Sequence, residues 1–187
     1  MFAFWQSLFF IAIAEMGDKS QLVALALATR FRPSIVLAGV FTATLVVHFM
    51  SVALGRFLDT LLPEFWIALA SGLAFVAFGV WTLRGDKLED GVRDRRARWG
   101  PFMAVSATFL VAEIGDKTML ATVTLAARES SFIGVWLGST VGMVLADAVA
   151  VWVGMVLGKR LPERAVKLGG AVIFLVTGLV TIWMALN

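Results

Sequence analysis

Glu15-Met16-Gly17-Asp18-Lys19-Ser20 decides the fold of this chain, together with its second copy, Glu113-Ile114-Gly115-Asp116-Lys117-Thr118. Each copy lies in the middle of an apolar segment that is long enough to cross a membrane. Charged side chains at bilayer depth are costly, so their presence there indicates a function. Because the two acids of each copy are three residues apart, we expect both carboxylates on one face of a helix.

The composition is that of an integral membrane protein. Of the 187 residues, 60% are hydrophobic and 16% are charged, whereas a soluble domain has roughly 45–50% apolar and about 25% charged residues. The absence of cysteine and the presence of a single histidine exclude a thiolate site and a multi-histidine zinc or iron site within one chain. The N-terminus lacks the basic region and cleavage site of a signal peptide, so we expect a retained first span.

The hydrophobic pattern predicts an all-α protein with six transmembrane helices. The six apolar segments cover residues 4–29, 34–58, 64–84, 101–127, 132–157 and 165–186. The polar stretch between the third and fourth segments divides the chain into a first three-helix repeat (1–83), a linker (84–100) and a second three-helix repeat (101–187). The linker and the breaks at 30–33 and 158–167 hold 12 of the 16 Lys and Arg residues. The positive-inside rule therefore predicts a cytoplasmic linker and two external termini.

The two halves are related by an internal repeat. Glu15, Asp18 and Lys19 recur 98 residues later, and after a one-residue insertion the offset becomes 99. The positions that match at this second offset pair Gly39, Gly55, Pro63, Glu64 and Gly79 with Gly138, Gly154, Pro162, Glu163 and Gly178. Because each half has an odd number of predicted spans, the second repeat should be inverted relative to the first. Inverted repeats in membranes are typical of secondary transporters, which bind their substrate near the midplane.

The four motif acids are the main candidates for binding a cation. Four carboxylates from two related helices can supply the oxygen ligands that hard divalent cations prefer; these acids are Glu15, Asp18, Glu113 and Asp116. The alternative is purely structural pairing, from each glutamate to the lysine four residues later, Lys19 or Lys117. Two lysines cannot neutralise four carboxylates, so we favour cation binding and assign the lysines to charge balance.

Other polar residues near the motifs are weaker candidates. Gln21 lies three residues after Asp18 and offers an amide oxygen, whereas its repeat equivalent, Met119, offers a thioether that would favour a softer ion than Ca²⁺. The remaining metal candidates are Ser20, Thr118 and Asp147. His48 and Asp147 are repeat equivalents, and we expect them to handle protons or charge. The motif glycines, Gly17 and Gly115, serve either close helix packing or local unwinding.

The paired motifs resemble those of a known family. E-x-G-D-[KR]-[ST], present twice and each time in the first helix of a three-helix repeat, is similar to the signature of the cation/proton exchanger family. That family includes the Golgi calcium/manganese transporters and the bacterial manganese exporters of the MneA type. The resemblance covers essentially the whole chain. It implies a six-helix inverted-repeat fold and divalent cation transport, with matched binding residues at Glu15, Asp18, Glu113 and Asp116.

The predicted function is export of Mn²⁺ by antiport with H⁺. The short, bacterial-like form implies a multi-pass protein of the inner membrane, and no nucleotide-binding motif is present to supply another energy source. The closest alternative is a Ca²⁺/H⁺ antiporter that uses the same site. More distant alternatives are a membrane-embedded metal-dependent hydrolase and a cation channel. We expect no enzyme activity, no cofactor and no nucleic-acid partner; the partners are the transported cation, protons and the lipid bilayer.

Overall fold

The computed structural model describes residues 1–16, 18–84, 100–157 and 163–186, and every regular element within them is an α-helix. The helices are α1 (Phe2–Glu15), α2 (Lys19–Ala28), α3 (Pro33–Leu61), α4 (Glu64–Arg84), α5 (Pro101–Glu113), α6 (Lys117–Arg128), α7 (Phe132–Leu157) and α8 (Glu163–Leu186). Most of the predicted linker, Gly17 and the side chain of Lys19 lie outside the described part.

Proline sets several of the helix boundaries. Pro33 and Pro101 occupy the first turns of α3 and α5, where a missing backbone N–H costs nothing. Pro63 separates α3 from α4 because proline disfavours the α conformation of the residue before it. Gly100 precedes α5 with φ of 80°, a left-handed conformation that glycine tolerates.

The predicted first and fourth spans are each two helices, which corrects the expectation of continuous spans over 4–29 and 101–127. The first is divided into α1 and α2, and the fourth into α5 and α6, and in both cases the division falls within the acidic motif. The other four predicted segments correspond to α3, α4, α7 and α8. Within the described residues, two helices are long and apolar enough to cross a membrane, Pro33–Leu61 and Phe132–Val153. The number of spans therefore stays a prediction.

Helix packing follows the repeat. If α1 to α4 are matched in order with α5 to α8, the contact of α1 with α7 corresponds to that of α5 with α3, and the contact of α2 with α7 corresponds to that of α6 with α3; all four are present. Helix α3 also contacts α7, and α4 contacts α8. The motif helices of each half thus pack against the following long helix of the other half, α7 or α3.

Small residues bring α4 and α8 into close backbone contact. A Cβ atom added to Gly72 would lie 3.0 Å from the carbonyl oxygen of Gly178, and one added to Gly178 would lie 2.7 Å from that of Gly72. A Cβ atom at Gly79 would lie 3.0 Å from the carbonyl oxygen of Ala171. Small side chains allow helices in membranes to approach this closely. Beside this contact, Phe75 stacks on Phe174 with ring centroids 5.9 Å apart.

Candidate cation site at the two helix breaks

The two motif copies form breaks with the same backbone geometry. Glu15 ends α1 and Glu113 ends α5. The backbone N–H of Asp18 donates to the carbonyl oxygen of Glu15 at 3.0 Å, and that of Asp116 donates to the carbonyl oxygen of Glu113 at 3.2 Å. Asp18 has φ of −82° and ψ of 165°, and Asp116 has φ of −79° and ψ of 168°. The repeat in sequence is therefore a repeat in local structure.

Glycine is needed at the second break because the chain turns there through a left-handed conformation. Gly115 has φ of 81°, which costs other residues roughly 1–2 kcal/mol. Among the described residues beyond its chain neighbours, no heavy atom lies within 4 Å of a Cβ atom built at Gly115. Of the two interpretations of this glycine, local unwinding is therefore correct for Gly115, and close helix packing is wrong. Gly17 lies outside the described residues.

The expectation that the two acids of each motif share one helical face is wrong. Glu15 is the last residue of α1 and Asp18 precedes α2; Glu113 and Asp116 have the same relation to α5 and α6. Since the helical register is lost between the acids, the i,i+4 spacing no longer brings Glu113 to Lys117. The breaks instead direct the carbonyl end of one short helix and the amide end of the next toward the same region, as in the discontinuous helices of transporters.

The four motif acids are buried and act on one another electrostatically. Their exposed fractions do not exceed 5%, a value reached only by Asp116. Glu15 interacts with Glu113 and with Asp18, and Glu113 interacts with Asp116 and with Asp18. The fold thus brings acids from both halves into one neighbourhood and keeps them away from lipid.

A closed coordination shell is not formed by these acids. Within the described ranges, no group of three or more His, Asp or Glu side chains is arranged to hold a metal ion.

In the first copy, the polar partners converge on Asp18. The ammonium of Lys117 donates to Oδ1 of Asp18 at 2.6 Å, and the hydroxyl of Ser20 donates to Oδ2 at 3.3 Å. Within the described residues, neither carboxylate oxygen of Glu15 has a hydrogen-bond partner. The ion pair joins the two motif copies, which sequence spacing did not predict because it suggested pairing within each copy.

In the second copy, the motif hydroxyl and the residue after it both bond within the motif region. The hydroxyl of Thr118 donates to Oε2 of Glu113 at 2.8 Å. The backbone N–H of Gly115 points to the sulfur of Met119, with 3.2 Å between nitrogen and sulfur. In the first copy, the equivalent Gln21 donates its amide N–H to the carbonyl oxygen of Ala146 on α7, at 3.1 Å. Two positions related by the repeat therefore carry side chains of different chemistry.

Asp147 is a fifth acid of this neighbourhood. It is fully buried and interacts electrostatically with Asp18, Glu15 and Glu113. Its carboxylate oxygens have no hydrogen-bond partner among the described residues. Unpaired buried carboxylates are costly, so this acid requires an explanation beyond packing.

His48, the repeat equivalent of Asp147, is also fully buried, and neither ring nitrogen has a hydrogen-bond partner in the described part of the chain. One turn before these two residues, the hydroxyl of Thr44 donates to the sulfur of Met143 at 3.3 Å. Thr44 and Met143 are 99 residues apart and are therefore repeat equivalents in direct contact. The sequence analysis missed this pair, although the offset of 99 would have identified it.

Comparison with known proteins identifies the family of this chain. A family model described as divalent cation/proton antiporter GDT1 matches residues 3–90 and 101–187. The chain belongs to the GDT1 family. It is therefore a transporter and not an enzyme, as the sequence predicted.

Relatives of the GDT1 family occur in bacteria and plants. A Vibrio cholerae protein named "Putative manganese exporter" is 38% identical over 91% of this chain and 86% of its own length. A GDT1-like protein of Synechocystis is 30% identical over 97% of both chains, and GDT1-like protein 5 of Arabidopsis thaliana is 30% identical over 94% of this chain and 93% of its own. No solved structure matches the chain significantly.

Proposed function

We propose that this GDT1 family member exports Mn²⁺ from the cytoplasm in exchange for protons, and that the ion binds between the two helix breaks. The observation that carries the proposal is the burial of four motif acids from both halves at two breaks that share one backbone hydrogen bond. Glu15 and Glu113, one from each half, also interact electrostatically. Acids buried at helix breaks within a membrane are typical of ion pathways.

The proposed framework is six transmembrane helices in two inverted three-helix repeats, over residues 1–83 and 101–187, with the linker at 84–100. Contacts that correspond under the repeat support it, as do the matching dihedral angles at the two breaks. In this framework α1 with α2 forms one span, and α5 with α6 forms another. The half-helices then meet near the bilayer midplane.

The proposed ligands are oxygen donors around the breaks. Glu15, Asp18, Glu113 and Asp116 supply the carboxylates, and Gln21 supplies an amide oxygen. The hydroxyls of the motifs orient these carboxylates through the hydrogen bonds described above, and Asp147 supplies a further carboxylate. The sulfur of Met119 lies at the second break and would favour Mn²⁺ over the harder Ca²⁺.

Charge balance gives a physical basis for exchange. The four ionised motif acids carry four negative charges, and Lys19 and Lys117 carry two positive charges, so the site has a net charge of −2. One divalent cation or two protons bring this charge to zero. Either loaded state can then rearrange at bilayer depth at lower cost than the empty state, because isolated charge in a low dielectric is expensive. In this scheme His48 and Asp147 assist in handling protons.

The proposed location is the bacterial inner membrane, with a cytoplasmic linker and external termini. The support is the asymmetric distribution of Lys and Arg along the sequence. Since the chain has no cysteine, single cysteines can be introduced as Asp90→Cys and Asn187→Cys. The two should react with an impermeant thiol reagent from opposite sides, and labelling from the same side would exclude this topology.

Ion flux in proteoliposomes tests the function. We expect Mn²⁺ uptake to depend on an imposed pH gradient and to exceed Ca²⁺ uptake, and we expect Asp116→Asn to abolish exchange. The decisive quantity is the reversal potential under combined pH and voltage gradients. A reversal potential that does not depend on the pH gradient would indicate a uniporter or channel, and preferred Ca²⁺ flux would indicate the Ca²⁺/H⁺ alternative.

A further inference from the structure

The ion pair between the two motif copies assigns a function to Lys117. We propose that its ammonium is a tethered counter-cation that occupies Asp18 when no metal ion is bound, so that the transported ion must displace it to bind. This inference rests on the proposed function, since it takes Asp18 to be a ligand of the transported ion.

The ion pair of Lys117 with Asp18 is short and shielded from water. Lys117 Nζ lies 2.6 Å from Asp18 Oδ1, and the side chains are only 4% and 0% exposed. Charge-assisted hydrogen bonds of this length are among the strongest in proteins. Because the pair is shielded from water, the ammonium is held at the carboxylate rather than exchanging freely with solvent cations.

Lys117 forms its ion pair with the motif of the other half. It is the first residue of α6, whereas Asp18 immediately precedes α2. Within its own motif, Glu113 receives the hydroxyl hydrogen of Thr118 at 2.8 Å. The break at Gly115 removes the helical register that would have brought the ammonium to Glu113. The fold therefore directs this positive charge across the boundary between the halves.

The ammonium and a divalent cation cannot both occupy Asp18 Oδ1 at low cost. A metal ion would bind a carboxylate oxygen at about 2.0–2.6 Å, which would place its charge within a few ångströms of the ammonium nitrogen. Repulsion at that separation is large wherever water is excluded. Lys117 must move away as the ion binds, and it returns as the ion leaves.

This competition has two consequences for transport. It lowers the affinity for the ion, which favours release. It also removes one uncompensated negative charge from the ion-free carrier, which must rearrange at bilayer depth to complete the cycle. Lys117 is thus a positioning residue that acts through Asp18 on the ion-free half of the cycle.

The test measures three quantities separately: Mn²⁺ binding, Mn²⁺/Mn²⁺ exchange and net Mn²⁺/H⁺ exchange. We expect Lys117→Gln to bind Mn²⁺ about tenfold more tightly than the wild type, measured in detergent by the loss of the free Mn²⁺ signal in electron paramagnetic resonance. Mn²⁺/Mn²⁺ exchange in proteoliposomes requires only the loaded carrier, in which the ion itself neutralises Asp18, and should fall less than net exchange. Net Mn²⁺/H⁺ exchange also requires the carrier without Mn²⁺ to rearrange, so it should fall about tenfold or more. Lys117→Arg keeps the charge and should recover much of the net exchange.

Arg128→Gln is the matched control. It removes one positive charge from the other end of α6, where Arg128 donates to the hydroxyl of Thr181 at 3.1 Å, and it should leave Mn²⁺ affinity unchanged.

Weaker or unchanged Mn²⁺ binding by Lys117→Gln would overturn the inference, as would equal loss of Mn²⁺/Mn²⁺ exchange and net Mn²⁺/H⁺ exchange. If Lys117→Gln does not fold, Lys117→Arg decides: wild-type affinity supports the inference, and weaker binding than the wild type contradicts it. Failure of the wild type to move Mn²⁺ would contradict the proposed function instead, while the binding measurement would remain interpretable.

Discussion

Asp18, at the break between α1 and α2, and Asp116, at the break between α5 and α6, have dihedral angles within a few degrees of each other. The hydroxyls that follow them differ in what they bond. Ser20 donates to Asp18 at 3.3 Å, whereas Thr118 donates to Glu113 at 2.8 Å. The comparison teaches that the repeated motif determines the backbone, whereas the residues that differ between the copies determine which acid each hydroxyl orients.

The largest effect should come from the motif hydroxyls. Thr118 is 2.8 Å from the Glu113 carboxylate, whereas Ser20 is 3.3 Å from the Asp18 carboxylate. Groups that orient a metal ligand typically contribute about 10–100-fold to metal affinity. We expect Thr118→Ala to weaken Mn²⁺ binding by about tenfold and Ser20→Ala to weaken it only about twofold, because the longer bond is weaker.

Titration with Mn²⁺, followed by the electron paramagnetic resonance signal of the free ion, measures the affinity of both variants. Thr122→Ala is the control, because the hydroxyl of Thr122 is also buried but donates to the backbone carbonyl oxygen of Thr118, at 2.8 Å. It should leave the affinity unchanged. Equal losses in Thr118→Ala and Ser20→Ala would show that the two copies are functionally equivalent despite their different bonding.

A smaller effect should follow from removing the glycine of the second break. Gly115 and Gly100 have φ of 81° and 80°, and among the described residues beyond their chain neighbours neither has a heavy atom within 4 Å of an added Cβ atom. Alanine at either position should therefore be strained by the backbone alone, at roughly 1–3 kcal/mol. Thermal denaturation in detergent should show destabilisation of both Gly115→Ala and Gly100→Ala. Only Gly115→Ala should slow Mn²⁺ flux, and full flux in that variant would contradict a role for the break in transport.

The smallest effect concerns ion selectivity, where Gln21 and Met119 are the unlike members of a matched pair. Met119→Gln replaces a sulfur by an amide oxygen, which suits a harder ion, so the ratio of Ca²⁺ flux to Mn²⁺ flux should rise several-fold. Met119→Leu has similar volume without the sulfur and should lower Mn²⁺ flux without raising Ca²⁺ flux. If both variants keep the wild-type flux ratio, the sulfur serves only to accept the N–H of Gly115.

Part of this arrangement could be predicted from sequence, because it depends on local signals. Pro33 and Pro101 begin helices at the expected places, and the burial of Glu15 and Glu113 followed from their position in apolar segments. The breaks were only one of two interpretations, because a glycine in an apolar segment is compatible with both a packed helix and an unwound one. The left-handed conformation of Gly115 decides between them.

The cross-motif ion pair could not be predicted from spacing. Lys117 and Asp18 are 99 residues apart, and they meet only because each half presents its break to the other. Helical periodicity describes neighbours along one helix and fails where the helix ends, which is why it suggested Glu113 as the partner of Lys117. A contact between repeat equivalents is seen at Thr44 and Met143, but Lys117 is the equivalent of Lys19 and not of Asp18.

The close contact of α4 with α8 has the form of an isologous dimer interface, in which each partner uses the same surface and the contacts occur in exchanged pairs. Gly72 meets Gly178 and Gly79 meets Ala171, and the repeat offset of 99 converts one pair into the other. In a homodimer of such halves, every substitution would appear twice, once in each subunit. Covalent fusion removes that constraint, so one half can change while the other does not. Ala171, the repeat equivalent of Gly72, is such a change. Met119, the repeat equivalent of Gln21, is another, and it lies at the proposed ion site.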